Sequence, residues 1–101
     1  MLDSAFIGGG PAGISAAINL KLLGKTFVWF GGASKKVERA ELIKNYVGFP
    51  AVAGGSLAKA FKEHTESMGI DGVDAVVTGV YQTDGYFTLL AQDASYEART
   101  V

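Results

Sequence analysis

The stretch AFIGGGPAGISAAI, residues 5–18, decides how this chain is read. Three glycines (Gly8, Gly9 and Gly10), then Pro11, Ala12 and a fourth glycine, Gly13, stand between a short apolar run and a longer one. A backbone stripped of side chains at this spacing suits the close approach of another group. Gly8, Gly10 and Gly13 match G-x-G-x-x-G. In that pattern the first glycine allows a tight turn, the second lets a diphosphate approach the main chain, and the third lets a helix pack closely on a strand. The pattern does not require Gly9.

The flanks supply the context the pattern needs. Residues 2–7 read as a short buried strand, and residues 11–23 as a helix. Pro11 falls in the first helical turn, where its missing N–H costs nothing. The helix start then offers free N–H groups and the positive end of its dipole to an anion. The helix is apolar nearly all round, with Ser15, Asn19 and Lys21 as interruptions, so it is expected to be largely buried. Gly24 suits its C-terminal cap. KTFVWF, residues 25–30, is a second strand rich in β-branched and aromatic side chains. Strand, helix and strand predict a right-handed βαβ unit with parallel strands, and a nucleotide phosphate at the glycine turn.

Residues 31–55 are irregular in composition. A long excursion is expected here, with one helical turn near Val37 to Lys44, and such a connection is more often functional than idle. Ser56 suits a helix N-cap, and LAKAFKEHTESM follows as an amphipathic helix ending at Gly69. Leu57, Ala60, Phe61, His64 and Met68 are assigned to its apolar face. His64, the one histidine, is therefore expected at the edge of the core. DAVVTGVYQT, YFTLLAQ and SYEARTV then read as three antiparallel strands, with Asp84-Gly85 as the first turn. The fold class is thus α/β: a Rossmann-like parallel βαβ core with a three-stranded antiparallel meander.

Composition narrows the function. With 101 residues the chain fits one small domain or a piece of a larger one. A net charge of −1 leaves no footprint for nucleic acid or an anionic membrane surface. The absence of cysteine removes disulfides, thiolate metal sites and any redox-active C-x-x-C within these residues. No apolar run approaches a membrane span and no secretory leader is recognisable, so a cytoplasmic location is expected.

One feature departs from a standard NAD site. The second strand ends in WFGG, without the acidic residue that usually binds the ribose hydroxyls. The next acids, Glu38 and Glu41, lie in the excursion. Gly31 and Gly32 instead offer backbone groups to the ribose. Trp29 reads as core rather than a flavin-stacking ring. Lys35 and Lys36 read as a solvated loop. Tyr46 and Phe49 either line a cofactor pocket or anchor the loop.

FIGGGPAGISAAINLKLLGKTFVWFGG, then IKNYVGFPAVAGGSLAKAFKEHTESMG, then VTGVYQTDGYFTLLAQDASYEARTV follow one another as in the N-terminal FAD-binding segment of low-molecular-weight thioredoxin reductases, which the whole chain resembles. The resemblance implies FAD at the glycine motif. By position, Gly8, Gly10, Pro11, Ala12 and Gly13 would hold the pyrophosphate. Gly31 and Gly32, with Phe30, Ala33 and Ser34, would surround the ribose and the route to the flavin. Asn45 matches the family's asparagine near the isoalloxazine, and Val76 and Val77 would lie beside the adenine. It also implies a parent oxidoreductase that draws on NADPH and acts on a thioredoxin-like protein, as a homodimer. ASKKVER replaces the family's Gly-Gly-Gln stretch, which is similar to divergent members that take electrons from ferredoxin. The family's pyridine-nucleotide domain, its C-x-x-C and its returning C-terminal FAD segment are not in this sequence. The chain therefore reads as residues 1–101 of an FAD-binding domain, with no catalytic residue of its own, and is expected to be inactive and to retain FAD weakly or not at all when alone. Two rival readings are another FAD enzyme, such as a monooxygenase or amine oxidase, and a non-catalytic dinucleotide-binding module.

Overall fold

The computed structural model describes residues 1–31, 35–92 and 94–101. Strand β1 (Leu2–Ile7) leads through the glycine turn into helix α1 (Pro11–Leu22), which returns to strand β2 (Phe27–Phe30). A short helix α2 (Lys35–Arg39) and a small hairpin precede helix α3 (Gly54–Ser67). Strands β3 (Val77–Thr83), β4 (Tyr86–Ala91) and β5 (Ala94–Thr100) form the meander.

All five strands belong to one sheet, in the order β2-β1-β5-β4-β3. β1 pairs in parallel with β2, from Ser4 opposite Phe27 to Ile7 opposite Phe30. β1 also pairs in parallel with β5, at Leu2 with Ala98 and Ser4 with Thr100. The meander is therefore continuous with the βαβ unit, edge to edge. β2 reads FVWF because both of its faces are covered. Val28 and Phe30 join Ala5, Leu89, Ala91 and Ala98 in one core cluster, while Trp29 joins Ile14, Ala17 and Ile70 in another. A strand covered on both faces reads as a continuous apolar run rather than an alternating one.

Asp3 fixes the start of the parallel pair. Its carboxylate accepts hydrogen bonds from the Thr26 N–H (2.8 Å) and the Thr26 hydroxyl (3.0 Å), and the Thr100 hydroxyl donates to its carbonyl (2.9 Å). The backbone N–H bond from Thr26, then the hydroxyl bond, hold the Asp3 carboxyl below its ordinary value of 3.8. Folding thus favours the ionised form. The stabilisation is complete above the unfolded pKa and is lost as pH falls through the lower folded one. Asp3→Ala should be less stable than the parent at neutral pH and should lack this part of the acid-induced loss. Urea unfolding at neutral pH and at successive pH values below about 4 checks it. Equal acid sensitivity in the two proteins would contradict it.

Three expectations are corrected. Helix α1 is not largely buried: only Ile14 and Ala17 are, and Leu22 and Leu23 are 72% and 69% exposed. The helix rests one face on the sheet and touches α3, and among the described residues nothing covers its outer face. Helix α3 begins at Gly54 with Ala53 as its N-cap, not at Ser56. The cause is tertiary: the Gly54 N–H donates to the Ala40 carbonyl at 3.0 Å, and a Cβ at Gly54 would collide with the carbonyl oxygens of Val37 and Ala40. His64 is exposed. The covered stripe of α3 runs through Gly54, Leu57, Phe61 and Thr65, so Thr65 takes the buried place one residue further on. The Thr65 hydroxyl is satisfied by donating to the Lys62 carbonyl at 3.0 Å.

The excursion also holds more order than its composition suggests. Ile43 and Val52 pair across a hairpin, and the Phe49 N–H closes a turn on the Tyr46 carbonyl at 3.0 Å. Tyr46 sets its ring edge-on against Phe61 of α3, with centroids 5.3 Å apart. Tyr46 is therefore an anchor between hairpin and helix. No helix among the described residues is long and apolar enough to cross a membrane.

Candidate nucleotide site

The site is built where β1 ends. Gly8 has φ +131, a conformation that side chains other than glycine's rarely adopt. Its N–H donates to the Phe30 carbonyl at 2.9 Å, which extends the β1–β2 ladder to the last residue before the turn. Its carbonyl accepts from the indole Nε1–H of Trp29 at 2.7 Å. Gly8 thus has both its main-chain groups committed inside the protein.

Gly10 caps α1 in an extended conformation (φ −82, ψ −175), and Pro11 begins the helix. The first intrahelical bond runs from the Ile14 N–H to the Gly10 carbonyl at 3.1 Å. The N–H groups of Ala12 and Gly13 precede it, where a helix has no carbonyl one turn back to receive them. No side chain caps them and no acid stands in the first turn. A Cβ placed on Gly10 would meet nothing within 4 Å, so the space over the helix start is free. A Cβ placed on Gly13 would collide with the Gly8 carbonyl oxygen and lie 3.3 Å from Trp29 Nε1. The two glycines therefore serve different purposes. Gly13 makes room for the protein itself, and Gly10 leaves room outside it. Open donors under an unobstructed approach fit a diphosphate.

Beside the turn lies a cleft of about 450 Å³. Gly9 and Ile14 form one wall, Trp29 and Gly31 the floor at the end of β2, one side of α3 the opposite wall, and residues 70–72 the far end. Glu38 of α2 stands at this cleft. Sequence reasoning, looking for an acid at the end of β2, left Glu38 in the excursion, and the fold carries it back.

The structure brings Gly8, Gly10, Pro11, Ala12, Gly13 and Gly31 to one end of the parallel strands. Phe30 adjoins them through its backbone, but its ring is buried on the other face of the sheet, edge-on to Tyr96 at 5.1 Å. Gly32, Ala33 and Ser34 lie outside the described residues. Asn45 lines a separate surface cavity formed by residues 44–50. Val76, 70% exposed, precedes β3, and Val77 begins that strand against the core. None of these last three residues lines the cleft beside the turn.

Trp29, which sequence reasoning assigned only to the core, also touches the glycine turn. It is buried, at 7% exposure, yet its one polar atom reaches the turn. Its signal in the sequence is compositional: glycines at 31 and 72 leave the indole its seat. A Cβ at Gly31 would collide with the ring, and one at Gly72 would stand 3.3 Å from it.

No protein-family model matches the chain. Over its whole length it is 31% identical to a thioredoxin reductase of Helicobacter pylori, of which it covers 34%. It is 29% identical, over 98% of its length, to a thioredoxin reductase of Bacillus subtilis, covering 32% of that protein. Among solved structures, a ferredoxin-flavin thioredoxin reductase from Clostridium acetobutylicum superposes with a TM-score of 0.90 at 40% identity, over 97% of this chain and 35% of the other. The chain thus spans about a third of the length of the relatives it matches.

Proposed function

This chain belongs to the thioredoxin reductase-like family, and we propose that it binds FAD, with the diphosphate on the turn from Gly8 to Gly13. The observation that carries the reading is the division of labour in that turn. Gly8 and Gly13 lock it from below, while Gly10 and the free N–H groups of α1 lie open above it. Bound there, the flavin would carry the electrons, as flavins do in such enzymes. The chain's own residues bind and orient. Ala12 and Gly13 donate N–H groups to phosphate oxygens, and the dipole of α1 stabilises their charge. Gly31 exposes its main chain to the ribose at the end of β2, and Glu38 at the same cleft is the acid placed to accept from the ribose hydroxyls.

The whole protein in which this segment works is proposed to be a cytoplasmic, homodimeric flavin oxidoreductase that reduces a disulfide in a thioredoxin-like protein. With no cysteine in its 101 residues, this segment supplies no thiol to that exchange. Ferredoxin is the proposed electron donor, ahead of NADPH. The support is the 40% identity to a reductase named for ferredoxin and flavin, against 29–31% to the thioredoxin reductases of the other two species.

The test is the visible absorption spectrum of the full-length protein under anaerobic conditions, before and after reduced ferredoxin and, separately, NADPH. A flavin band bleached by ferredoxin is the expected result. Bleaching by NADPH alone would replace the donor but keep the enzyme. A bound flavin that neither donor reduces would favour a non-catalytic binding module, and no flavin at all would overturn the proposal.

A further inference from the structure

We infer that Trp29 is a positioning residue for the phosphate-binding turn, acting through the Gly8–Gly9 peptide. The inference rests on the dinucleotide reading and deepens it. The indole Nε1–H, 2.7 Å from the Gly8 oxygen, turns that carbonyl toward the core. The Gly8–Gly9 peptide is trans, since no cis peptide bond occurs among the described residues. In a planar trans peptide the C=O and the following N–H point in opposite directions. Drawing the carbonyl inward therefore sends the Gly9 N–H outward, and Gly9 is the residue of the turn that lines the cleft. One part-buried hydrogen bond thus aims a donor at the place where the diphosphate would sit.

The surroundings hold the indole in place. Gly31 and Gly72 lack the side chains that would crowd the ring, and Gly13 leaves space for the carbonyl it grips. The Val73 N–H donates to the Trp29 carbonyl at 2.7 Å, so the residue is tied at both main chain and side chain. A buried indole N–H needs an acceptor wherever it sits. Here the partner is the backbone of the site.

Trp29 is the chain's one tryptophan, so a ¹⁵N-labelled, FAD-free chain gives a single indole N–H resonance. It is to be followed during titration with ADP, the diphosphate half of the cofactor. The expected result is that this resonance moves on ADP binding, with the midpoint that calorimetry gives for ADP. Trp29→Phe, which keeps an aromatic ring and removes the donor, should bind ADP about tenfold more weakly while keeping its far-ultraviolet circular dichroism. ADP binding that leaves the indole resonance unmoved overturns the inference, as does a folded Trp29→Phe that binds as tightly as the parent. In both cases the dinucleotide reading stands. A full-length protein that takes up neither FAD nor ADP overturns that reading and this inference with it. If Trp29→Phe does not fold, the resonance of the unaltered chain decides.

Discussion

Gly13→Ala should destabilise the chain by a net of about 2–3 kcal/mol, although alanine is the better helix former by about 1 kcal/mol. The new Cβ would collide with the Gly8 carbonyl oxygen. That atom is backbone, and the Trp29 indole that holds it lies only 3.3 Å from the new Cβ. Neither partner can rotate away, so α1 must lift from the strands or the turn must open. In a domain of this size the loss corresponds to roughly 10–20 °C in Tm. Gly55→Ala is the matched control. It sits in the first turn of α3 with nothing within 4 Å of its Cβ position. There the same substitution should be neutral or stabilising by up to about 1 kcal/mol. Thermal unfolding of the two variants should therefore show shifts of opposite sign or very unequal size. A Gly13→Ala protein as stable as the parent would mean that α1 does not pack on Gly8 as described.

That contrast shows what the sequence could and could not reveal. The βαβ unit was legible because its signals are local: an apolar run, glycines at fixed offsets, a proline at the first helical position and a second apolar run. The Asp84-Gly85 turn was legible for the same reason, and Gly85 takes φ +84 between β3 and β4. Features set by distant partners were not. Periodicity shows that α1 is apolar all round but not which of its faces has a neighbour, and Leu22 and Leu23 lie open. The start of α3 is fixed by a carbonyl fourteen residues earlier, at Ala40, so the better capping residue at Ser56 loses to it. His64 and Thr65 differ by one step of about 100° on the helix, and the position of the sheet decides between them. In the site, the glycines announced themselves because each acts on its own backbone. Trp29 and Glu38 did not, because the indole meets Gly8 across 21 residues of chain and the carboxylate reaches the cleft only through the placement of α2.

Gly10→Asp should move stability and binding in opposite directions. Gly10 holds φ −82 and ψ −175, which aspartate adopts without strain, and its Cβ would enter open space. Aspartate is a good N-cap, and it restricts the unfolded chain more than glycine does. The fold should gain a few tenths to about 1 kcal/mol. The new carboxylate would then occupy the helix start as a permanent anion. It would accept the N–H groups proposed for the phosphate and repel the diphosphate at short range, where a unit-charge pair is worth several kcal/mol near a protein surface. FAD and ADP affinity should fall by about 100-fold or more. Differential scanning calorimetry gives the first quantity and isothermal titration the second. Lower stability with unchanged affinity would place the ligand elsewhere and remove the phosphate from the start of α1. Higher stability with lost affinity would show that this helix start is left uncapped for a ligand, because the fold itself would be better served by an acid at residue 10.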